Sequence, residues 1–452
     1  MNTATSAVIY RTQAQWAPLT GRLRVPGDKS ISHRAIMLGA LADGVTEISG
    51  FLQGEDSLNT LRCFRAMGVD ITEPNQGFVQ VFGVGLQGLR PPAHPLYVGN
   101  SGTSMRLMAG ILAGQAFDTV LEGDASLSRR PMRRVIEPLT QMGAVIESAE
   151  GGRSPLTIRG GRRLKAINYV LPMASAQVKS CVLLAGLYAA GTTCVTEPAP
   201  TRDHTERMLT GFGYTVHRST ATACVEGGGR LTSRQIEVPA DISSAAFFMV
   251  AASIAPEADL TLLHVGINPT RTGIIDILKL MGADITLHNP RDVGGEPVAD
   301  IQIKSAALQG IDIPESLVPL AIDEFPVLFI AAACAVGRTV LTGAEELRVK
   351  ESDRIAVMAD GLQKLGINAT PTFDGMVIEG QGAAALPFGT AEIWSQGDHR
   401  IAMAFAVAGL RAHGEITIHN CEFVETSFPG FAALFRGCGG GLQDTVAHEV
   451  SA

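Results

Sequence analysis

Groups that bind phosphate and move protons occur at the starts of six segments of helical length. Each segment begins with a polar residue and continues as an Ala-rich apolar stretch. The side chains at these starts include Lys29, Ser30, Asn100, Ser101, Thr103, Ser175, Gln177, Asp323, Glu324, Asp398, His399 and Arg400. The free amide groups and the dipole of a helix attract anions to its start. Helix capping is the simpler explanation for any single Ser, Asp or Asn, but it does not explain a cation at Lys29 or Arg400.

Two arginine-rich segments offer further groups that bind anions. The segment SRRPMRR covers 128–134 and includes Arg130, and LRVKESDR covers 347–354 and includes Lys350 and Arg354. A guanidinium group binds carboxylate or phosphate through two parallel hydrogen bonds. Together with the helix starts, these segments could hold two polyanionic small molecules. A solvated charged face is the alternative for either segment.

Motifs for nucleotide and metal chemistry are missing from the sequence. The segment GDKS at 27–30 lacks the G-x-x-x-x-G-K-[ST] spacing of a phosphate-binding loop upstream of Lys29. Neither HExxH nor a Cys/His cluster is present. The sequence therefore predicts neither a metal nor a cofactor. A net charge of -8, with no Lys/Arg run that suggests a binding tail, also disfavours nucleic acid and anionic lipid as partners.

The composition is typical of a globular protein with several domains. The chain has 452 residues, of which 46% are hydrophobic, and this length predicts two or three domains. Neither the apolar part of a signal peptide nor a membrane-spanning stretch is found. The seven cysteines form no CxxC pair and lie mostly in apolar runs, so we expect reduced, buried thiols. We expect a cytoplasmic enzyme that acts as a monomer.

An eight-residue pattern recurs six times, always with glycine in the fifth place. The segments are FRAMGVDI (64–71), LTQMGAVI (139–146), LTGFGYTV (209–216), LKLMGADI (278–285), LQKLGINA (362–369) and FRGCGGGL (435–442). Consecutive glycines are separated by 69 to 84 residues, which indicates an internal repeat. Each segment predicts a helix that ends at a left-handed glycine and is followed by a strand.

One Ala-rich segment precedes each octamer, and its apolar character on nearly all sides predicts a buried helix. The strands predicted after these helices include 45–49, 192–197, 338–343 and 415–420. Six units favour two halves of three. Val-Pro junctions near 25–30 and 238–243 predict hinges between one domain of residues 1–26 plus 241–452 and another of residues 27–240. The N-terminal strand is expected to return to the C-terminal half.

Nine segments in order along nearly the whole chain resemble the 5-enolpyruvylshikimate-3-phosphate synthase family, and the SAQ, RDHTE and NPTR variants resemble its class II branch. They are GDKSISHR (27–34), GNSGTSMRL (99–107), LSRRPM (127–132), SAQVKS (175–180), TRDHTE (201–206), NPTR (268–271), DEFP (323–326), LRVKESDR (347–354) and GDHRIAMAF (397–405). The resemblance implies a two-domain inside-out α/β barrel of six βαβαββ units, three per domain, that closes around a cleft when ligands bind. It also implies a transferase of the shikimate pathway, which leads to chorismate and the aromatic amino acids.

The reaction implied by the resemblance joins phosphoenolpyruvate to the 5-hydroxyl of shikimate 3-phosphate and releases phosphate. The residues implied for shikimate 3-phosphate are Lys29, Ser30, Arg34, Ser175, Ala176, Gln177, Arg202, Asp323 and Lys350. Those implied for phosphoenolpyruvate are Lys29, Asn100, Gly102, Arg130, Gln177, Arg354, His399 and Arg400. Catalytic roles are expected for Asp323 as the base on the hydroxyl, and for Glu351 and Lys29 in protonation at C3 and in the departure of phosphate.

Two positions bear on the binding of phosphoenolpyruvate and of its mimic glyphosate. Many relatives in the resembled family carry a lysine before the TSFP segment, where this chain has Glu425. Tolerant class II relatives can carry alanine at the position of Gly102, so glycine predicts sensitivity to glyphosate.

Two other functions remain open at this stage. Enolpyruvyl transfer to a UDP-sugar uses the same fold but commonly a loop cysteine, and no cysteine lies between Cys63 and Cys181. A non-catalytic hinged binder of phosphorylated metabolites would need the cations but not Asp323 with Glu351. His204 and Glu206 fit pairing on an outer helix as well as a role in binding.

Overall fold

The computed structural model describes residues 7–14, 17–383 and 386–447. The chain divides into two compact units. The first unit contains Met1–Pro26, Ala240–Arg291 and Pro297–Ala452, and the second contains Gly27–Pro239 and Asp292–Glu296. The short segment 292–296 thus groups with the second unit, although its sequence neighbours belong to the first. That the chain hinges at the predicted junctions stays a prediction.

Two strands, β1 (Ala7–Thr12) and β2 (Thr20–Leu23), precede the second unit. The helices of the second unit are α1 (Lys29–Leu41), α2 (Glu55–Ala66), α3 (Gly102–Ala113), α4 (Arg133–Gln141), α5 (Ala176–Gly186) and α6 (His204–Gly211). Its strands are β3 (Asp43–Ser49), β4 (Asp70–Ile71), β5 (Val79–Val84), β6 (Leu96–Tyr97), β7 (Thr119–Glu122), β8 (Val145–Ala149), β9 (Arg153–Arg159), β10 (Asn168–Val170), β11 (Thr192–Thr196), β12 (Val216–Arg218), β13 (Thr222–Glu226) and β14 (Gln235–Glu237).

The same alternation continues through the rest of the chain. The helices are α7 (Ile242–Ile254), α8 (Gly273–Leu280), α9 (Val318–Ala321), α10 (Phe325–Cys334), α11 (Arg354–Lys364), α12 (His399–Ala408), α13 (Val424–Ser427) and α14 (Phe431–Gly437). The strands are β15 (Asp259–Gly266), β16 (Asp284–Val293), β17 (Glu296–Lys304), β18 (Val336–Leu341), β19 (Asn368–Pro371), β20 (Met376–Gln381), β21 (Ala391–Trp394), β22 (Ile416–His419) and β23 (Leu442–Ala447). Short 3₁₀ turns cover Leu127–Arg129, Glu315–Leu317, Glu345–Val349 and Gly409–Arg411.

The described strands form three sheets in each unit, with one recurring pattern. In the second unit the strand orders are β14-β3-β5-β4, β6-β7-β9-β8 and β10-β11-β13-β12. In each of these sheets the first pair is parallel and the other two are antiparallel. The first unit has the orders β21-β22-β1-β23, β16-β17-β15-β2 and β18-β20-β19. There β1 pairs with β22 and β23, and β2 pairs with β15. The predicted repeat of six units is therefore confirmed.

Six helices lie inside the units because their sequences are apolar on nearly every side. These are α1, α3 and α5 in the second unit and α7, α10 and α12 in the first. All 13 residues of α7 are buried. Each unit packs its own hydrophobic core around its three helices, with side chains such as Met108 in one and Phe248 in the other. The six predicted buried helices are confirmed.

Each of the six octamers forms the predicted helix end. The glycines Gly68, Gly143, Gly213, Gly282, Gly366 and Gly439 have φ values between 80° and 109°. The residue after the glycine donates its N–H back into the last turn, as from Val69 to the Phe64 carbonyl at 3.1 Å and from Ile367 to the Leu362 carbonyl at 2.9 Å. Glycine has no Cβ to clash in this left-handed conformation, so it ends the helix and turns the chain into the next strand.

The expectation of seven reduced thiols is wrong for one pair. Cys194 on β11 lies directly opposite Cys224 on β13, and the two form a disulfide. The two cysteines are 30 residues apart in the sequence, and only the register of the strands brings their side chains together. The sequence therefore did not indicate this pairing. The other cysteines are free and buried, namely Cys63, Cys181, Cys334, Cys421 and Cys438.

A buried histidine predicts that stability falls in mild acid. His33 on α1 is fully buried, and its Nδ1 lies 2.8 Å from the Thr60 hydroxyl oxygen. Burial, followed by the charges of Lys29 and Arg34, lowers the pKa of His33 well below its usual range. The folded chain keeps His33 neutral while the unfolded chain protonates it below about pH 6.5, so the free energy of unfolding decreases as the pH falls below that value.

Urea unfolding of the whole chain between pH 7.5 and 5.5 checks this dependence. Below about pH 6.5, the free energy of unfolding of the parent should fall by about 1.4 kcal/mol more per pH unit than that of the variant His33→Gln. His217→Gln, which changes an exposed histidine of the same unit, is the control and should keep the dependence. An equal dependence in the parent and in His33→Gln would contradict the prediction.

Candidate active site

Most of the predicted binding residues of the second unit lie at or near the starts of its three buried helices. Lys29 and Ser30 begin α1, Gly102 begins α3 and Ala176 begins α5. Ser175 caps α5 by accepting a hydrogen bond from the Val178 N–H at 3.4 Å. The capping explanation therefore holds for the Ser175 side chain, and a contact with substrate would be an additional role.

Arg34 is a buried cation held by neutral groups. Its Nε donates to the Thr205 hydroxyl at 2.7 Å, its NH2 to the Ser180 hydroxyl at 2.9 Å, and its NH1 to the Ser30 carbonyl at 2.9 Å. Burial lowers the pKa of Arg34 to about 10, and Glu206 is the strongest of the charges that oppose this shift. A buried guanidinium whose hydrogen-bond acceptors are neutral is suited to binding an anionic ligand.

Lys29 forms an ion pair at the start of α1. Its Nζ lies 3.1 Å from Asp56 Oδ2, and both side chains are mostly buried. This carboxylate on α2 compensates a cation that would otherwise oppose the helix dipole. Sequence reasoning missed Asp56, because only the packing of α2 beside α1 places it there.

The starts of α3 and α5 are joined by a polar network. Gln177 accepts from Arg106 NH1 at 2.6 Å and donates to the Thr103 hydroxyl at 2.9 Å. Asn100 donates to Asp124 Oδ2 at 2.7 Å and accepts from Arg130. The network fixes the orientation of these side chains beside Gly102.

Only part of the arginine-rich segment 128–134 is a solvated charged face. Arg130 is 8% exposed, whereas Arg129 and Arg133 are exposed. Arg106 and Asp124 complete the network but were not predicted. Arg106 lies on α3 four residues after Gly102, a spacing that places two side chains on one helix face and could have indicated it.

Arg202 is half-buried and precedes α6, the helix that contributes Glu206 and His204 to buried ion pairs. Lys179 Nζ lies 2.8 Å from Glu206 Oε1 and 3.1 Å from Glu197 Oε2. His204 Nδ1 lies 2.8 Å from Glu296 Oε1 in the segment 292–296. Glu206 and His204 are each 2% exposed, so their pairing is internal and not on an exposed outer surface.

In the first unit, Arg354 gathers the carboxylates of the predicted site. This residue begins α11 and is 1% exposed. Its Nε lies 2.8 Å from Asp398 Oδ2, its NH1 3.2 Å from Asp323 Oδ1, and its NH2 2.7 Å from Glu351 Oε2. Burial would lower the pKa of Arg354, but Asp398, Glu351 and Asp323 outweigh it and hold that pKa above its usual range. Arg354 therefore stays charged and orients three carboxylates.

Lys350 and Arg400 border the same group. Lys350 Nζ lies 3.7 Å from Asp323 Oδ1 and the same distance from Glu346 Oε1. Arg400 NH1 donates to the Asp323 carbonyl oxygen at 2.9 Å. Asp323 thus has two cations at its carboxylate and a third at its backbone.

The start of α12 carries His399 and places Asp398 against Arg354. His399 is the first residue of the helix and is 6% exposed. Asp398 caps the helix by accepting from the Arg400 N–H at 3.0 Å, and it also accepts from Arg354 and Ser352. Glu425 lies apart from these contacts on α13, where it is exposed and accepts from the Gly430 N–H.

Two solved structures share this fold. EPSP synthase from Acinetobacter baumannii is 58% identical and superposes with a TM-score of 0.87 over 97% of this chain and 100% of its own. The enolpyruvyl transferase NikO from Streptomyces tendae is 16% identical, with a TM-score of 0.78 over 98% of this chain and 100% of its own. The fold is that of the enolpyruvyl transferases, so the predicted α/β class and barrel architecture are confirmed.

Sequence comparison identifies the family. Residues 14–434 match the sequence model of EPSP synthase (3-phosphoshikimate 1-carboxyvinyltransferase). The 3-phosphoshikimate 1-carboxyvinyltransferase of Alkalilimnicola ehrlichii is 69% identical over 93% of this chain and 94% of that protein. The one from Methylococcus capsulatus is 66% identical over 93% of this chain and 95% of that protein. The chain belongs to the EPSP synthase family.

Membership of this family defines the activity. The protein is a transferase of the shikimate pathway, and it transfers the enolpyruvyl group of phosphoenolpyruvate to the 5-hydroxyl of shikimate 3-phosphate with release of phosphate. The predicted enzyme class and substrates are therefore confirmed.

Among the described residues, none of the helices combines the length and the apolar character that crossing a bilayer requires.

The surroundings of Gly102 predict the effect of a larger residue on ligand binding. A Cβ at this position would lie 2.7 Å from Arg106 NH1 and 3.5 Å from Arg130 NH1. Arg106 must then move, and Gln177 with it, whereas the backbone can remain in place. Gly102→Ala should raise both the KM for phosphoenolpyruvate and the inhibition constant of glyphosate, each by about tenfold or more.

Steady-state kinetics with glyphosate as inhibitor check this expectation. Gly437→Ala is a matched control, because a Cβ there meets no heavy atom within 4 Å. The parent protein should be inhibited at micromolar glyphosate. Inhibition of the parent only at millimolar concentrations, or an unchanged inhibition constant in Gly102→Ala, would refute the role assigned to this glycine.

Proposed function

We propose that the polar clusters of the two units contact the same two substrates. Shikimate 3-phosphate is bound by Lys29, Ser30, Arg34, Ser175, Ala176, Gln177, Arg202, Asp323 and Lys350. Phosphoenolpyruvate is bound by Lys29, Asn100, Gly102, Arg130, Gln177, Arg354, His399 and Arg400. The observation that carries this assignment is the gathering of Asp323 and Glu351 by the buried Arg354.

Asp323 is the base that takes the proton of the 5-hydroxyl. Its carboxylate has Arg354 NH1 at 3.2 Å and Lys350 Nζ at 3.7 Å, and two cations at these distances keep a carboxylate ionised. An ionised carboxylate of fixed orientation can accept a proton from a hydroxyl that is placed against it. The oxygen then attacks C2 of phosphoenolpyruvate.

Glu351 and Lys29 complete the proton transfers. When the C–O bond forms at C2, the double bond to C3 takes up a proton, and the later loss of a proton from C3 expels phosphate. Glu351 Oε2 lies 2.7 Å from Arg354 NH2, which favours the ionised form. Glu351 therefore acts as an acid only when the charge of both bound substrates offsets this cation. We assign the two residues to these steps jointly.

The cations of the two clusters match the charge of the substrates. Shikimate 3-phosphate and phosphoenolpyruvate each carry a phosphate and a carboxylate, and Arg34, Arg130, Arg354 and Arg400 are all at most 9% exposed. Partly dehydrated guanidinium groups bind such anions more strongly than exposed ones. We also propose that the protein performs this reaction as a monomer.

Replacement of Asp323 tests its role as the base. Asp323→Ala should lower kcat by a factor of about 10² to 10⁴ with a modest change in the KM for either substrate, since the hydroxyl then loses its proton acceptor. Phosphate release from phosphoenolpyruvate in the presence of shikimate 3-phosphate is the measurement.

Asp360→Ala on α11 is the control, because this carboxylate is 63% exposed and pairs with Lys364. It should retain the activity of the parent. Near-normal turnover by Asp323→Ala would remove Asp323 from the mechanism. Phosphate release with a UDP-sugar in place of shikimate 3-phosphate should be absent.

A further inference from the structure

Buried polar side chains of the first unit form a line of contacts that the proposed mechanism does not use. Arg271 NH2 donates to the Ser243 hydroxyl at 2.7 Å, and this hydroxyl donates to Glu324 Oε1. Glu324 Oε1 lies 3.7 Å from Arg400 NH1. These contacts connect Arg271 of the NPTR segment and Ser243 at the start of α7 to Arg400, which we assign to phosphoenolpyruvate.

Glu324 does not serve as an ordinary helix cap. It occupies the cap position of α10, but its side chain makes no capping hydrogen bond there. The other five buried helices begin at an Asp or Ser whose side chain makes that bond. The Glu324 side chain reaches Ser243 on α7 instead, so capping does not explain a carboxylate at this position.

Burial makes the Glu324 carboxylate costly unless a cation compensates it. The residue is 2% exposed, and Oε2 is buried without a hydrogen-bond partner in the parts of the chain that the structure describes. A buried carboxylate needs hydrogen bonds and an opposite charge. Ser243 supplies the hydrogen bond, and Arg400 supplies the charge. The interaction with Arg400 is therefore the one that offsets the cost.

The contacts of Arg400 leave one edge of its guanidinium group for a ligand. Within the described residues, NH1 makes the contacts to the Asp323 carbonyl and to Glu324. Nε and NH2 remain for a carboxylate or phosphate, which guanidinium binds through two parallel hydrogen bonds. Such binding requires a fixed orientation of the planar group.

From these contacts we propose that Glu324 is a positioning residue for Arg400. Its carboxylate, anchored by Ser243 and Arg271, holds NH1 so that Nε and NH2 face phosphoenolpyruvate. This inference rests on the proposed assignment of Arg400 to that substrate. Glu324 itself touches neither substrate and takes no part in proton transfer.

Steady-state kinetics of Glu324→Gln test the proposal. The amide keeps the size of the side chain but loses the charge that holds Arg400. The KM for phosphoenolpyruvate should rise on the order of tenfold, while the KM for shikimate 3-phosphate stays unchanged. Ser243→Ala, which keeps the charge but removes its anchor, should raise the same KM by a smaller factor. Glu392→Gln, at an exposed glutamate of the same unit, is the control and should match the parent.

Arg400→Lys and its combination with Glu324→Gln separate positioning from general destabilisation. Arg400→Lys should raise the KM for phosphoenolpyruvate, and adding Glu324→Gln should then have no further effect, because the group that it positions is gone. Additive effects would overturn the proposal, as would a lowered KM in Glu324→Gln. A normal KM in Arg400→Lys would instead refute the assignment of Arg400. A raised KM in Arg400→Lys with normal values in both Glu324→Gln and Ser243→Ala would refute the positioning role alone.

Discussion

The structure depends on burying helices that have no polar face. A helix such as α7, with all 13 residues buried, can present hydrogen-bonding groups only at its ends. Three such helices in each unit place free amide groups and a positive dipole end at their starts. The side chains at those starts are therefore the main polar groups that these helices offer to a ligand. The same packing that forms the core therefore concentrates the chemistry at a few positions.

Charge compensation differs between the two units. In the second unit, Arg34 donates its hydrogen bonds to hydroxyl and carbonyl groups, with Glu206 as the strongest negative charge acting on it, and so it is suited to an anionic ligand. In the first unit, Arg354 is paired with three carboxylates and orients them. Arg34 is thus suited to binding an anion, whereas Arg354 also fixes the orientation of neighbouring carboxylates. Both roles require burial, because water would weaken the interactions on which they depend.

Most of the fold could be predicted, because its signals are local. Each octamer has glycine at the one residue that takes the left-handed conformation, and each Ala-rich segment is apolar by its own sequence. Neither signal depends on what the segment packs against. The Cys194–Cys224 disulfide could not be predicted in this way. It depends on the register of β11 against β13, which results from the packing of a whole sheet. The grouping of 292–296 with the second unit was missed for the same reason.

The sequence by itself determined the six repeats, the buried helices and the family resemblance, and it predicts the residues of the site. Only the tertiary structure decided which partner each of these residues has. Asp56 beside Lys29, Asp398 beside Arg354 and Glu324 beside Arg400 come from distant parts of the chain. An ion pair depends on a separation of a few ångströms in space, and separation along the chain does not report it. For that reason the motifs could give a list of site residues, which stays a prediction, but they could not give the electrostatic pairing of those residues.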